Sequence, residues 1–267
     1  MARDEAVRDL VERLELPFNS LGIDPYGISK KHLAVFFGVL GFMYRRYFRV
    51  KAAGVANVPG RGRAMLVGNH SGGYALDGAM VITSMLLEMD PPRLAQGMTE
   101  KFINMLPVGS TWSSRCGQLT GLPEHAERLL MDDRLLMVFP EGARGTAKLY
   151  KDRHSLVDFG TGFMRLALKT KSPIVPLGFI GGGEAVPTIM NSSTLGKLMG
   201  VPYVPITAYG IAAPLPAKLV VHFGKPLVFS GTGDEEDSVI IGYVDEVKAR
   251  IAELMDAARA DRDGSTS

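Results

Sequence analysis

The sequence predicts an α/β protein, a single domain with a mostly parallel central sheet flanked by helices. Short apolar runs of strand length alternate with longer stretches of helical period, and Pro and Gly close the strand-like runs in turns. The size agrees: 267 residues, 46% hydrophobic and 22% charged, suffice for one large core and do not describe a disordered chain. Three parts are expected: an N-terminal helical segment (residues 1–50), the main domain (residues 51–260) and a polar tail (residues 261–267).

Residues 1–16 are mixed in charge and do not read as an export signal. Val7, Leu10, Val11 and Leu14 recur at helical spacing and form a packing face. Residues 29–50 differ: Lys30-Lys31-His32 precede an apolar run, residues 33–43, and Tyr44-Arg45-Arg46-Tyr47-Phe48-Arg49 follow it. This run is too short for a bilayer, which needs about 20 residues. Basic and aromatic flanks suit a helix lying in an interface with anionic headgroups, with Lys30, Lys31, Phe36, Phe37, Phe42, Arg45 and Arg46 as the expected membrane contacts. A buried core helix with a charged exit is the alternative reading.

Residues 64–67 read as a short buried strand, and residues 79–87 as a helix that Asp77 opens. His70 therefore stands at a strand exit. A neutral imidazole there can take a proton from an attacking hydroxyl, and a carboxylate on its other ring nitrogen fixes the tautomer and stabilises the imidazolium. His70 and Asp77 would then be a catalytic triad without its serine, the nucleophile being the substrate's hydroxyl. Gly72 and Gly73 would let the intervening loop fold back. The plainer alternative makes His70 a bonded loop residue and Asp77 a helix N-cap.

Residues 134–139 form a second strand-length run, stopped by Pro140 and Gly142, so that Glu141 and Arg144 also lie at a strand end. Ligands of open α/β sheets bind at the carboxyl ends of strands, and an arginine there can grip phosphate or carboxylate. A surface ion pair between Glu141 and Arg144 is the competing reading.

The segments carrying His70 and Asp77, then Phe139-Pro140-Glu141-Gly142 with Arg144, resemble the glycerolipid acyltransferase superfamily of the lysophosphatidic acid acyltransferase type. Residues 173–182, with Pro173 and Pro176, resemble that family's proline-containing strand, and residues 150–168 resemble its connecting helix. The similarity spans roughly residues 47–229. It implies a glycerol-3-phosphate acyltransferase-like fold and transfer of a fatty acyl group from a thioester, acyl-CoA or acyl carrier protein, to a lysophospholipid such as lysophosphatidic acid. His70 would be the general base, Asp77 its orienting partner, and Glu141, Gly142 and Arg144 the acceptor site.

Two departures matter. Six residues separate His70 from Asp77 where four are commonest in the family, as in a bacterial branch whose acceptors are less settled; monoacylglycerol, diacylglycerol and other lipid alcohols are alternatives. The acceptor-binding block between the motifs is matched only in part, by Lys101-Phe102-Ile103 and by Arg115, the best basic candidate. Backbone N–H groups in the turns 71–73 or 142–145 are candidates for holding the oxyanion. Cys116, the single cysteine, is the one thiol able to carry a covalent acyl group, and a lone cysteine is usually inert.

Residues 195–210, interrupted by Pro202, Pro205 and glycines, suit a lid, a channel wall or a connecting loop. Residues 218–223 read as a late strand in which His222 is structural. His32, His125 and His154 lack partners at metal-ligand spacing, so neither a metal nor a cofactor beyond the thioester co-substrate is expected. Residues 234–237 start a packing helix running through Val239, Ile240, Tyr243, Val244, Val247, Ile251 and Leu254, and residues 261–267 are expected to fray. A formal charge of +2 is too balanced for nucleic acid. The expected place is the cytoplasmic face of a membrane, peripheral or monotopic. An ester hydrolase would need the Gly-x-Ser-x-Gly elbow, which is missing, and a mere lipid-binding protein would not need His70, Asp77 and Glu141 together.

Overall fold

The computed structural model describes residues 2–72, 75–99, 109–200, 203–210 and 214–264. In chain order the strands are β1 (Lys51–Ala53), β2 (Ala64–Gly68), β3 (Ala95–Thr99), β4 (Leu119–Thr120), β5 (Leu135–Val138), β6 (Ile174–Ile180), β7 (Thr188–Ser192), β8 (Val204–Thr207) and β9 (Val220–Phe223). β7 and β8 pair only with each other; the rest form a seven-stranded sheet in the order β1-β9-β6-β2-β5-β3-β4. β6, β2, β5, β3 and β4 run parallel, and β9 joins β6 antiparallel with β1 parallel to β9.

Burial on both faces explains why the central strands are continuously apolar rather than alternating. Every residue of β2 and β6 is buried. Ala64 and Leu66 of β2 and Leu135 and Met137 of β5 pack against the helices α1 (Ala2–Glu12), α2 (Lys30–Phe42) and α3 (Leu76–Glu88). Met65 and Val67 of β2 and Leu136 of β5 face the opposite layer. There they meet α5 (Pro123–Met131), α7 (Gly162–Thr170) and the long α10 (Asp237–Gly264). The remaining helices are short: α4 (Gly109–Arg115), α6 (Ala143–Thr146), α8 (Gly182–Ala185) and α9 (Ser193–Met199). Among the described residues no helix is long and apolar enough to cross a membrane.

Three expectations are corrected. Phe37, expected as a membrane contact, is fully buried with Leu33 on the inner side of α2 and belongs to the core. Val35, Val39 and Phe42 point outward instead, at 53%, 60% and 60% exposure. Residues 150–168 are not one helix: a single 3-10 turn, Tyr150–Asp152, is followed by irregular chain until α7 begins at Gly162. That chain is held open because the Val157 N–H donates to Glu141 Oε2 (3.1 Å) rather than to a helical carbonyl. Finally, α10 does not fray at residue 261. Asp261 binds Lys51 and His222, and Arg262 Nη1 donates to Glu184 Oε1 (2.6 Å), which ties the last turn to the body.

Candidate active site

The register of β2 on β5 builds the site. Val67 lies opposite Val138, so three residues further along each strand His70 and Glu141 arrive side by side. The His70 N–H donates to Glu141 Oε1 (2.9 Å). Asn69, fully buried, bridges in the other direction: its Nδ2 donates to the Phe179 carbonyl (2.9 Å) and its Oδ1 accepts from the Phe179 N–H (2.7 Å). This amide replaces a missing rung between β2 and β6 and fixes where the chain leaves the sheet. The His70 backbone is thus held from both flanks.

The loop then turns back on itself. Gly72 has φ +79°, and a side chain there would also run into the Gly182 carbonyl of α8. Ala75 adopts the left-handed conformation at φ 52° and starts α3, delivering Asp77 in its first turn. The His70 Nδ1–H donates to Asp77 Oδ2 (2.7 Å). Asp77 has no exposed surface and also accepts from the N–H groups of Ser71 (2.6 Å) and Gly78 (2.7 Å). Its carboxylate is locked on three donors, a geometry an N-cap role alone would not require. With Nδ1 committed as the donor, Nε2 is the basic nitrogen. The His70 ring stacks on Phe139, 4.4 Å between centroids and 7° from parallel, which sets its plane as Asp77 sets its edge.

Glu141 is buried. It is 2% exposed, and Oε2 accepts from Lys148 Nζ (2.7 Å) and from Val157 N. Lys148, its side chain 4% exposed, also donates to the Ser155 carbonyl (2.9 Å). The Glu141–Arg144 ion pair does not form, because Lys148 is the cation that Glu141 holds. Both Glu141 oxygens are thus engaged within the chain, one of them on the His70 backbone. Arg144 is exposed on α6 and its Nη2 donates to the Asp158 carbonyl (3.0 Å). Next to it, Gly145 packs so closely that a side chain would overlap the Cβ atoms of His70 and Glu141, which keeps α6 against the histidine.

Arg115 is not brought to this place. Its Nη1 donates to the Gly27 carbonyl (3.1 Å), in a turn whose Asp24 accepts from Arg134 Nη2 (2.9 Å) at the start of β5. Arg115 thus reaches toward the amino end of the sheet, away from His70. Lys101, Phe102 and Ile103 lie outside the described residues. Three N–H groups of the candidate oxyanion turns are engaged elsewhere: Gly142 N donates to the Phe139 carbonyl and Gly145 N to the Gly142 carbonyl (both 3.0 Å), and Ser71 N donates to Asp77 Oδ2. Cys116 is buried and its thiol is pushed up to about 12 by that burial, far from a nucleophilic thiolate. Among the described residues no cluster of side chains is arranged to hold a metal ion.

Lys148, Asn69 and the Phe139 stack were not foreseen. Asn69 and Phe139 adjoin the motif residues, so only their partners were hidden; Lys148 carries no local signal at all. No serine or cysteine is bonded to His70 among the described residues, and the pair has the geometry of a base with its orienting carboxylate. The profile of the Acyltransferase family matches residues 49–180. Uncharacterized proteins of Mycobacterium tuberculosis and Mycobacterium bovis are each 33% identical over 247 residues, covering 89% of this chain and 68% of theirs. The chain belongs to the acyltransferase family. In fold it is similar to the crystal structure of the 1-acyl-sn-glycerophosphate acyltransferase PlsC from Thermotoga maritima, at a TM-score of 0.52 and 19% identity over 84% of this chain and 82% of that one.

Proposed function

We propose that the protein is an O-acyltransferase that moves a fatty acyl group from a thioester, acyl-CoA or acyl carrier protein, to the hydroxyl of a lysophospholipid such as lysophosphatidic acid. The observation that carries this reading is the 2.7 Å contact of His70 Nδ1 with the buried Asp77, which leaves Nε2 as the base. In this scheme Nε2 takes the acceptor's hydroxyl proton as its oxygen attacks the thioester carbonyl. The tetrahedral intermediate collapses with cleavage of the carbon–sulfur bond, and the imidazolium returns the proton to the departing thiolate. Asp77 stabilises the imidazolium between the two steps.

The substrates imply a membrane surface, and the proposed contact is the outer side of α2. Val35, Val39 and Phe42 are exposed there beside Lys31, Arg45 and Arg46. A groove of about 840 Å³ between α1 and α2 is lined by Leu21, Lys31, Val35 and Val39. Basic residues around exposed apolar side chains fit anionic headgroups. Placement at the cytoplasmic face follows from the same reading.

A neutral acceptor, such as monoacylglycerol, is the second reading. It is favoured by the placement of the two expected phosphate-binding arginines, one bonded to Asp158 and exposed, the other turned to Gly27. Thiol release from a long-chain acyl-CoA, measured with lysophosphatidic acid, monoacylglycerol or no acceptor, separates them. Release that depends on one acceptor names it. Release without any acceptor identifies a thioesterase and refutes the transfer reading.

A further inference from the structure

A second apolar surface lies beyond the dyad. β7, α9 and β8 form a hairpin apart from the main sheet that exposes Ile189 (56%), Met190 (54%) and Leu198 (83%). Isolated exposed apolar residues need no explanation, but three within one short hairpin do. The hairpin is also seated at the site. Asn191 Nδ2 donates to the Ala147 carbonyl (2.7 Å), and Tyr203 bonds Thr146, so it rests on α6, the helix that Gly145 presses against His70. On its return the chain meets the other apolar element. The Leu215 N–H donates to the Ala185 carbonyl (2.7 Å), and Tyr47 Oη, from the π-helical turn Met43–Tyr47 that continues α2, donates to the Pro214 carbonyl (2.7 Å).

Charge separates this surface from an ordinary apolar patch. Between Glu184 and Asp234 the sequence contains no Asp or Glu, although the chain has 28; its charged residues there are Lys197, Lys218 and Lys225. The same is true between Asp24 and Asp77, the stretch that carries α2, Arg45 and Arg46. Lys197 lies exposed on α9 one residue from Leu198, and Arg144 is exposed on α6 beneath. A hairpin that exposes apolar side chains, carries a lysine and contains no carboxylate of its own is complementary to an anionic bilayer.

We infer that the β7–α9–β8 hairpin is a second membrane-docking element, which inserts Ile189, Met190 and Leu198 below the headgroups of an anionic bilayer. It rests on α6 beside His70, and the chain that follows it is bonded at Pro214 to Tyr47, in the turn that continues α2. The docking role rests on the lipid-substrate reading above, but binding to vesicles without substrate tests it separately. The experiment is flotation of the protein with vesicles of mixed phosphatidylglycerol and phosphatidylcholine. The combined Ile189→Ser, Met190→Ser and Leu198→Ser variant is expected to bind at least about tenfold more weakly than the unaltered protein. Val228→Ser, Val239→Ser and Ile241→Ser, three exposed apolar residues elsewhere, serve as the control and are expected to bind normally. Raised salt weakens the unaltered protein's binding. A probe on Leu198→Cys, which the buried Cys116 does not rival for label, is expected to shift its emission to the blue on vesicle binding. Equal binding of the hairpin variant and the unaltered protein, or no emission shift while the protein binds, overturns the inference. So does a change of oligomeric state in the hairpin variant with vesicle binding intact, which would make the surface a contact between copies of the chain. Vesicle binding without acyl transfer would leave this inference standing and remove the proposed reaction.

Discussion

The loops that leave β2 and β5 begin at neighbouring strand ends, yet they do opposite things with their charged residues. The loop after β2 leads into α3, whose first turn aims the Asp77 carboxylate at the histidine ring and leaves the other ring nitrogen unbonded by it. The loop after β5 turns its carboxylate inward, onto a backbone N–H and a buried lysine. In the proposed reaction the first segment carries the reacting group and the second holds it in place. A motif residue at the mouth of a site is therefore not necessarily a ligand contact; burial and the number of protein donors on its oxygens decide.

The comparison breaks first at Asp77. Asp77→Asn is expected to lower kcat by about 10²- to 10⁴-fold, as loss of proton transfer and of the correct tautomer does elsewhere; steady-state kinetics that show only a KM change would move Asp77 out of the reacting loop. Next comes Lys148→Met, which leaves Glu141 as an unpaired buried charge and should cost about 3–5 kcal/mol in denaturant unfolding. Adding Glu141→Gln should restore much of that stability, and if the double variant is as unstable as the single one the buried pair is not the clamp. Asn69→Ala removes both bonds to Phe179 and is expected to cost about 1–3 kcal/mol with a fall in kcat. Arg144→Ala sharpens the choice of acceptor. With a phosphate-bearing acceptor, loss of a charge-assisted bond of about 1.5–3 kcal/mol should appear in its KM, whereas a neutral acceptor should show little change.

The smallest effect concerns pH. Burial holds His154 below the usual imidazole range, aided by Arg153, Arg262 and Arg259 and opposed by Glu184. A depressed imidazole contributes stability that is present above its unfolded value of about 6.5 and is lost as pH falls through its folded value. His154→Gln should therefore flatten the decline in Tm on the acid side slightly, and a steeper decline would reverse the sign.

Much of this was legible because it is local. β2, β5, β6 and α10 announce themselves by run length and spacing, and the pairing of His70 with Asp77 needs only a short loop between a strand and a helix. What was not legible depends on direction. Leu33, Phe37 and Gly41 face inward while Val35, Val39 and Phe42 face outward, but a helix apolar on both sides gives no contrast from which to choose, and Phe37 was placed on the wrong one. Arg115 and Arg144 are long side chains whose partners, Gly27 and Asp158, are backbone carbonyls invisible to any motif. Lys148 finds Glu141 only because the chain between them folds into α6 over His70.

The most direct test of the account is acceptor-dependent thiol release by His70→Ala beside the unaltered protein, with circular dichroism on both. The account predicts release lower by about 10³-fold or more with the fold intact. A folded His70→Ala protein that still forms ester at a rate near that of the unaltered enzyme would contradict it.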